Sequence, residues 1–277
     1  VLQPLAELPS DPRFRLADIR GLFTDVDDTL TWEGALVPAA YAAICRARAA
    51  GLAVVPVTGR PAGWGAVIAA TWPVDAVIVE NGAATIRRER VAATGKARLV
   101  IEPFDAADPL ATDDAARAAR LEAITRDVLS SVPRARLSED QWLRRYDVAF
   151  DVGETQALGR DEIDAIVARI RAHRAQALVS SVHAHVVLGE WDKGRALTRA
   201  ARALFGDDVT VEPARSRWLF VGDSQNDEAG FAALPLSVGV ANVRAVADRL
   251  AAPPAYVTPS PGGHGFAELV ELLLAHR

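Results

Sequence analysis

The chain has 277 residues, enough for one large domain or two modest ones with a sizeable core. Half of its residues are hydrophobic, its net charge is −5 and no long Lys/Arg block occurs, so the electrostatic footprint of a nucleic-acid-binding protein is absent. No apolar run approaches the ~20 residues of a membrane span. The first twelve residues lack a basic-then-apolar leader pattern, and the expected setting is the cytoplasm. The single cysteine, Cys45, excludes an intrachain disulfide and a cysteine-based zinc site.

Residues 1–18 hold three prolines and no sustained period, which predicts an irregular lead-in. Ile19–Thr24 reads as an apolar strand running into Asp25-Val26-Asp27-Asp28-Thr29. Asp25 and Asp27 would point to opposite faces of one strand, so they converge only if the strand ends at Asp25 and the chain turns. Two readings stand at this point. One is a loop built around a cation, since neighbouring carboxylates need a counter-charge. The other is an acidic turn with Asp28 or Thr29 as a helix cap.

A helix is expected over Pro38–Ala50, with Pro at its start, Tyr41, Ile44 and Cys45 as its stripe and Gly51 as its stop. Cys45 is expected to pack as a small buried hydrophobe. Leu52–Val57 is a second apolar strand, ending in Thr58-Gly59-Arg60-Pro61. A helix follows over Gly63–Ala70, then a third apolar strand, Asp75–Val79, ending in Glu80-Asn81-Gly82. Strands that are apolar throughout and separated by helices indicate a parallel sheet covered on both faces.

The texture changes at Ala84. Thr85–Arg88 and Arg98–Ile101 suggest hairpin strands, and Thr112–Val132 a long helix capped by Thr112-Asp113-Asp114. Arg144–Val152 alternates like a half-buried strand, Arg160–Arg174 is an amphipathic helix, and Gln176–Val182 and His183–Gly189 read as two more strands. The first texture then returns. Lys193–Phe205 is a helix stopped by Gly206, and Arg217–Val221 is an apolar strand ending in Gly222-Asp223-Ser224-Gln225-Asn226-Asp227. A helix over Asp227–Ala233, a strand over Leu236–Val240, a helix over Asn242–Leu250, a short strand over Tyr256–Thr258 and a closing helix over Phe266–Ala275 complete the chain. The expected fold class is α/β: a doubly wound, Rossmann-like parallel-sheet core, residues 1–83 and 191–277, interrupted by an inserted α+β domain, residues 84–190.

Polar groups follow four of the apolar strands: Asp25 and Asp27, Thr58, Asn81, and Asp223 with Asn226 and Asp227. In an open parallel sheet the carboxyl ends of the strands define the ligand crevice. Carboxylates from two strand tips suit an octahedral, oxygen-liganded cation such as Mg2+, which also binds phosphate. Thr58-Gly59 offers a hydroxyl and backbone N–H groups to an anion. Lys193, opening a helix, supplies a movable positive charge for the same anion.

These segments resemble the four motifs of the haloacid dehalogenase superfamily of phosphohydrolases. Asp25-Val26-Asp27-Asp28-Thr29 matches the first motif, Asp-x-Asp-x-Thr. Val57-Thr58-Gly59-Arg60 resembles the second in its Cof-type form, Lys193-Gly194 the third, and Gly222-Asp223-Ser224-Gln225-Asn226-Asp227 matches the fourth. The insertion is similar to the large α/β cap of the Cof-type and sugar-phosphate phosphatase branch, and the layout to mannosyl-3-phosphoglycerate and sucrose-phosphate phosphatases. The resemblance implies a nucleophile at Asp25, which would form an aspartyl-phosphate, and a general acid/base at Asp27. It implies Mg2+ held by Asp25, the backbone carbonyl of Asp27, and Asp223, with Asp227 acting through water or orienting ligands. Thr58, Gly59, Lys193 and Asn226 would hold the phosphoryl group. Arg60, just after the second motif, either meets the substrate or pairs with a carboxylate. Asp28 departs from the family pattern, where Gly is commoner, and is read as a local turn carboxylate.

Other residues are open to two readings. His183 and His185 share a strand face; His183, with Ser180 and Ser181, is a candidate substrate contact, against structural roles for both histidines. Arg144 and Arg145 are read as solvated strand ends rather than as anchors for an anionic substrate tail. Trp64 is expected in the core. Trp32 either lines the substrate entrance or packs, and Asn81 either approaches the site or makes a turn. His264 is expected in a loop before the last helix. The resemblance thus implies a Mg2+-dependent phosphatase acting on a small phosphorylated metabolite, a sugar phosphate or phosphorylated glycoside, with neither nucleic acid nor membrane as partner. A phosphomutase of the same fold and a non-catalytic phosphometabolite-binding protein are the alternatives.

Overall fold

Gly21–Thr24 begins the organising sheet: four residues, all buried, with Leu22 and Phe23 facing opposite sides. The same alternation recurs in Val54 against Val55 and in Leu219 against Phe220, so each strand feeds two hydrophobic layers. The structure, a computed structural model, describes residues 2–105, 110, 113–180 and 182–277. Its strands are β1 (Gln3–Pro4), β2 (Gly21–Thr24), β3 (Thr31–Trp32), β4 (Ala35–Leu36), β5 (Ala53–Pro56), β6 (Ala76–Val79), β7 (Ala84–Arg90), β8 (Ala97–Pro103), β9 (Val148–Asp151), β10 (Gln176–Val179), β11 (His183–Val187), β12 (Trp218–Gly222), β13 (Leu236–Gly239) and β14 (Tyr256–Val257). Its α-helices are α1 (Pro38–Ala49), α2 (Ala62–Thr71), α3 (Asp114–Ser131), α4 (Arg160–Ala172), α5 (Lys193–Phe205), α6 (Glu228–Ala233) and α7 (Gly262–Ala275).

The main sheet is parallel in the order β1-β14-β13-β12-β2-β5. β6 lies beside β5 through a parallel bridge between Val57 and Ile78. Parallel strands put the tips of β2, β5, β12 and β13 at one edge, where Thr24 pairs with both Val221 and Pro56. β7 and β8 fall in the stretch expected to lie in the insertion. β7 pairs antiparallel with β6 and β8 with β7, and Ala84 and Ile86 join the core layer that holds α1 and α7. We infer that the inserted unit begins after β8. Its three-stranded antiparallel sheet, β10-β11-β9, is backed by α3 and α4, with Phe150, Ile124, Val128, Ile166, Ile170 and Val186 as a separate cluster.

Several local expectations change. The lead-in is ordered: β1 pairs with β14 at the sheet edge, and Leu5, Leu8, Phe14 and Leu16 are buried. On α1 the buried face is Ala40, Ala43, Ile44 and Ala47, at i, i+3, i+4 and i+7. Cys45, one position round from Ile44, is exposed rather than buried. The segment read as a helix over Asn242–Leu250 is two 3-10 turns. The last helix starts at Gly262, so His264 lies in its first turn and not in a loop. A Cβ on Gly263 would come 2.4 Å from the Leu30 carbonyl oxygen, which explains glycine here as close packing rather than looseness. Arg144–Val152 is strand only from Val148, because the N–H groups of 145–147 bond a side chain elsewhere. The expected helix cap at Thr112 lies outside the described residues; Asp113 caps α3, accepting from Ala115 and Ala116. No helix among the described residues is long and apolar enough to cross a membrane.

Candidate active site

Asp25 follows β2 directly, and its N–H continues the ladder by donating to the Val221 carbonyl at 2.8 Å. Asp223 and Asp227 follow β12, the adjacent strand, and one carboxylate oxygen of each of the three lies within 4.8 Å of the others. Lys193, at the start of α5, is 1% exposed; its Nζ donates to Asp25 Oδ1 at 2.5 Å and to Asp227 Oδ1 at 2.6 Å. Asp192 caps that helix by accepting from the Arg195 N–H, which fixes where Lys193 emerges. The other oxygen of Asp227 accepts from the N–H groups of Asp223 and Ser224 at 2.9 and 3.1 Å. Asp223 accepts from Thr29 Oγ1 at 3.3 Å and from Asn242 Nδ2 at 2.8 Å.

The electrostatics follow from burial. Desolvation pushes the Asp25 carboxyl up, Lys193 pulls it down, and Asp227 and Asp27 push it further up; the result lies well above the usual range, at about 8. Asp223 is raised well above its ordinary value by burial and then by Asp227 and Asp25. Burial disfavours the Lys193 ammonium, but Asp227 and Asp25 outweigh it and hold the group charged. One ammonium neutralises only part of the charge of three carboxylates. The remaining donor set is hard oxygen, which fits a small divalent cation.

Asp27 points elsewhere. Arg60 forks onto it, Nε reaching Oδ1 at 2.9 Å and Nη2 reaching Oδ1 at 2.6 Å, and the Arg60 guanidinium lies 5.4 Å from the centre of the Trp64 ring. Trp64, expected in the core, is 43% exposed, because α2 turns its Gly65 and Ile68 side inward. Asp28 has a φ of +53°, the left-handed conformation that favours glycine, so the Asp here stands at a position where the backbone would suit Gly. Burial and Asp27 raise its carboxyl, with Arg60 opposing. Thr58 is fully buried, with Oγ1 accepting from the Arg60 N–H at 3.0 Å.

A cleft of about 260 Å³ opens over these groups, with Asp25, Asp27, Gly59, Arg60, Asp223 and Asn226 on its core side. Its far wall comes from the inserted sheet. On β11, Ala184 and Val186 face α3 and α4, so His183 and His185 face the cleft. His183 Nε2 lies 2.8 Å from Glu154 Oε2, and His185 Nδ1 lies 2.8 Å from Asp147 Oδ2. Arg144, read as a solvated strand end, is buried: Nη1 donates to the Gly59 carbonyl at 3.0 Å and to Asp147 Oδ1 at 3.0 Å. Arg145 is partly exposed and pairs with Asp114. Ser180 lines the cleft, and Ser181 lies outside the described residues. Trp32 packs against Gly262 at the base of the β3–β4 hairpin.

Three residues carry no sequence-based assignment and prove central. Asn242 bridges the carboxylate of Asp223 and the carbonyl of Asp28. It follows β13 closely, so the rule of polar residues after strand tips reaches it too. Glu80 and Asp147 are buried carboxylates; Glu80 directly follows β6, so the same rule reaches it as well, whereas Asp147 precedes β9 and carries no such signal.

No protein-family model and no curated protein matches the sequence. Solved structures do match. A Thermoplasma acidophilum protein is 19% identical over 92% of this chain and 98% of its own, with a TM-score of 0.66. A subclass IIB sugar phosphatase of the HAD superfamily is 14% identical over 93% and 100%, with a TM-score of 0.62. The fold is that of the haloacid dehalogenase superfamily. A third match within it, the sucrose-phosphatase of Synechocystis sp. PCC6803 in complex with sucrose and phosphate, is 16% identical over 92% and 98%, with a TM-score of 0.59. The haloacid dehalogenase fold thus spans nearly the whole chain, inserted unit included.

Proposed function

We propose that the chain is a Mg2+-dependent phosphomonoesterase acting on a small sugar phosphate or phosphorylated glycoside. The observation that carries this is the Lys193 ammonium held between Asp25 and Asp227, with Asp223 beside them, beneath a cleft that Asp25, Asp27 and Asp223 line. Phosphoryl transfer needs positioned counter-charges more than new covalent machinery, and this cluster supplies them. The likeness to a sugar phosphatase and a sucrose-phosphatase supports the substrate class.

In this reading an Asp25 carboxylate oxygen attacks phosphorus while the bond to the leaving alkoxide breaks. Asp27 gives its proton to that alkoxide and then takes one from the water that cleaves the aspartyl-phosphate, releasing phosphate and restoring Asp25. Proton transfer at Asp27 requires one arm of the Arg60 fork to release a carboxylate oxygen. Thr58, Gly59, Lys193 and Asn226 hold the phosphoryl oxygens. Mg2+, held by Asp25, Asp223 and the Asp27 carbonyl, with Asp227 orienting them, would neutralise charge on the phosphoryl group.

A panel of sugar phosphates assayed for free phosphate with Mg2+ tests the reading. Isomerisation without phosphate release would refute it. Asp25→Asn is expected to lower turnover more than about a thousandfold. The thermal midpoint should be kept or raised, since a buried, partly uncompensated carboxyl is replaced by a neutral isostere.

A further inference from the structure

Glu80 follows β6, is fully buried and has a φ of +50°. Its carboxylate accepts four backbone N–H groups from two distant segments. Oε1 takes those of Ala62 at 2.8 Å and Arg145 at 2.9 Å; Oε2 takes those of Tyr146 at 2.6 Å and Asp147 at 2.8 Å. Ala62 opens α2 in the core, whereas residues 145–147 lead into β9 of the inserted unit. The main chain of Glu80 is tied to the phosphate-side loop as well: its N–H donates to the Arg60 carbonyl, and that of Asn81 to the Thr58 carbonyl.

The segment that Glu80 grips carries the polar wall of the cleft. Arg144 reaches back to the Gly59 carbonyl, and Asp147 holds both Arg144 and His185. One carboxylate therefore fixes the distance between the loop at 58–60 and the groups facing the leaving group. Charge-assisted bonds to backbone N–H groups are short and directional, and Glu80 accepts from all three of these N–H groups. We propose that Glu80 is a positioning residue that docks the inserted unit on the core and sets selectivity for a polar, hydroxyl-bearing leaving group through Arg144 and His185. The proposal rests on the phosphatase reading of the cleft.

The test compares two substrates. p-Nitrophenyl phosphate has a flat leaving group that needs neither a proton nor polar contacts with the wall; the best substrate of a hexose-phosphate panel needs both. In Glu80→Gln one acceptor oxygen becomes an NH2 group, and two of the N–H groups lose their partner. The ratio of kcat/KM for the hexose phosphate to that for p-nitrophenyl phosphate is expected to fall by at least about tenfold. A purely structural role would lower both values alike, and an unchanged ratio overturns the proposal. Should Glu80→Gln fail to fold, Arg144→Lys keeps the charge and loses the reach to Gly59, and the same fall in ratio is expected; its absence overturns the proposal equally. Wild-type protein that hydrolyses neither substrate with Mg2+ overturns the phosphatase reading itself.

Discussion

At the scale of single residues, the decisive feature is a buried lysine between two carboxylates. Lys193 is buried away from bulk solvent, and Asp25 and Asp227 have no other ammonium among the described residues. Breaking a buried pair from one side leaves uncompensated charge, which costs about 3–5 kcal/mol. Lys193→Met should therefore lower the urea midpoint by a corresponding amount. Millimolar Mg2+ should restore part of it, since a ligand that binds only the folded state stabilises it. An unchanged midpoint, or one indifferent to Mg2+, would show that the cluster is not held as described. The sequence exposed these residues because each follows a strand or opens a helix. Where it misled, the cause was side rather than type. Arg144 looks like any strand-end arginine, yet Asp140 and Asp147 lie near enough in the chain to pair with it on the buried side. Cys45 looks like core until the facing elements choose Ala43, Ile44 and Ala47 instead.

Among elements, α2 links the site to the rest of the core. Ala62 at its start is held by Glu80, and Gly65 one turn on packs against β6, where an added Cβ would lie 2.1 Å from Val79 Cγ1. Ala for Gly inside a helix ordinarily stabilises by up to about 1 kcal/mol. Here the helix start is fixed and the neighbour is a buried strand, so the overlap cannot be relieved by sliding. Gly65→Ala should instead destabilise by about 1–3 kcal/mol, read as a lower thermal midpoint. A higher midpoint would mean that α2 is free to move off the sheet. The glycines of this helix and of the first turn of α7 are packing devices, and a sequence reading without the facing surface takes them as weak helix or loop. The strands were more legible, because burial on both faces leaves an unbroken apolar run that needs no knowledge of a partner.

Over the whole molecule, three hydrophobic clusters divide the work. Two lie on either side of the main sheet, and the third belongs to α3, α4 and the sheet β10-β11-β9. The change of texture at residue 84 was visible in the sequence, and it coincides with a change from parallel to antiparallel pairing, since β7 and β8 extend β6 in a three-stranded sheet of their own. On our inference that the inserted unit begins after β8, that change precedes the unit. The third cluster depends on Phe150, which is fully buried between the helices and the cleft-facing strands. Phe150→Ala removes about 3–5 kcal/mol from it. Because few apolar side chains are shared between this cluster and the other two, the loss should stay local. Amide exchange followed by mass spectrometry is expected to quicken in α3, α4 and β9–β11 while β2, β5 and β12 keep their protection. Faster exchange in all of them together would show that Glu80 and Arg144 couple the units into one cooperative body. In that case the inserted unit could not open to admit substrate without loosening the strand tips that carry Asp25 and Asp223.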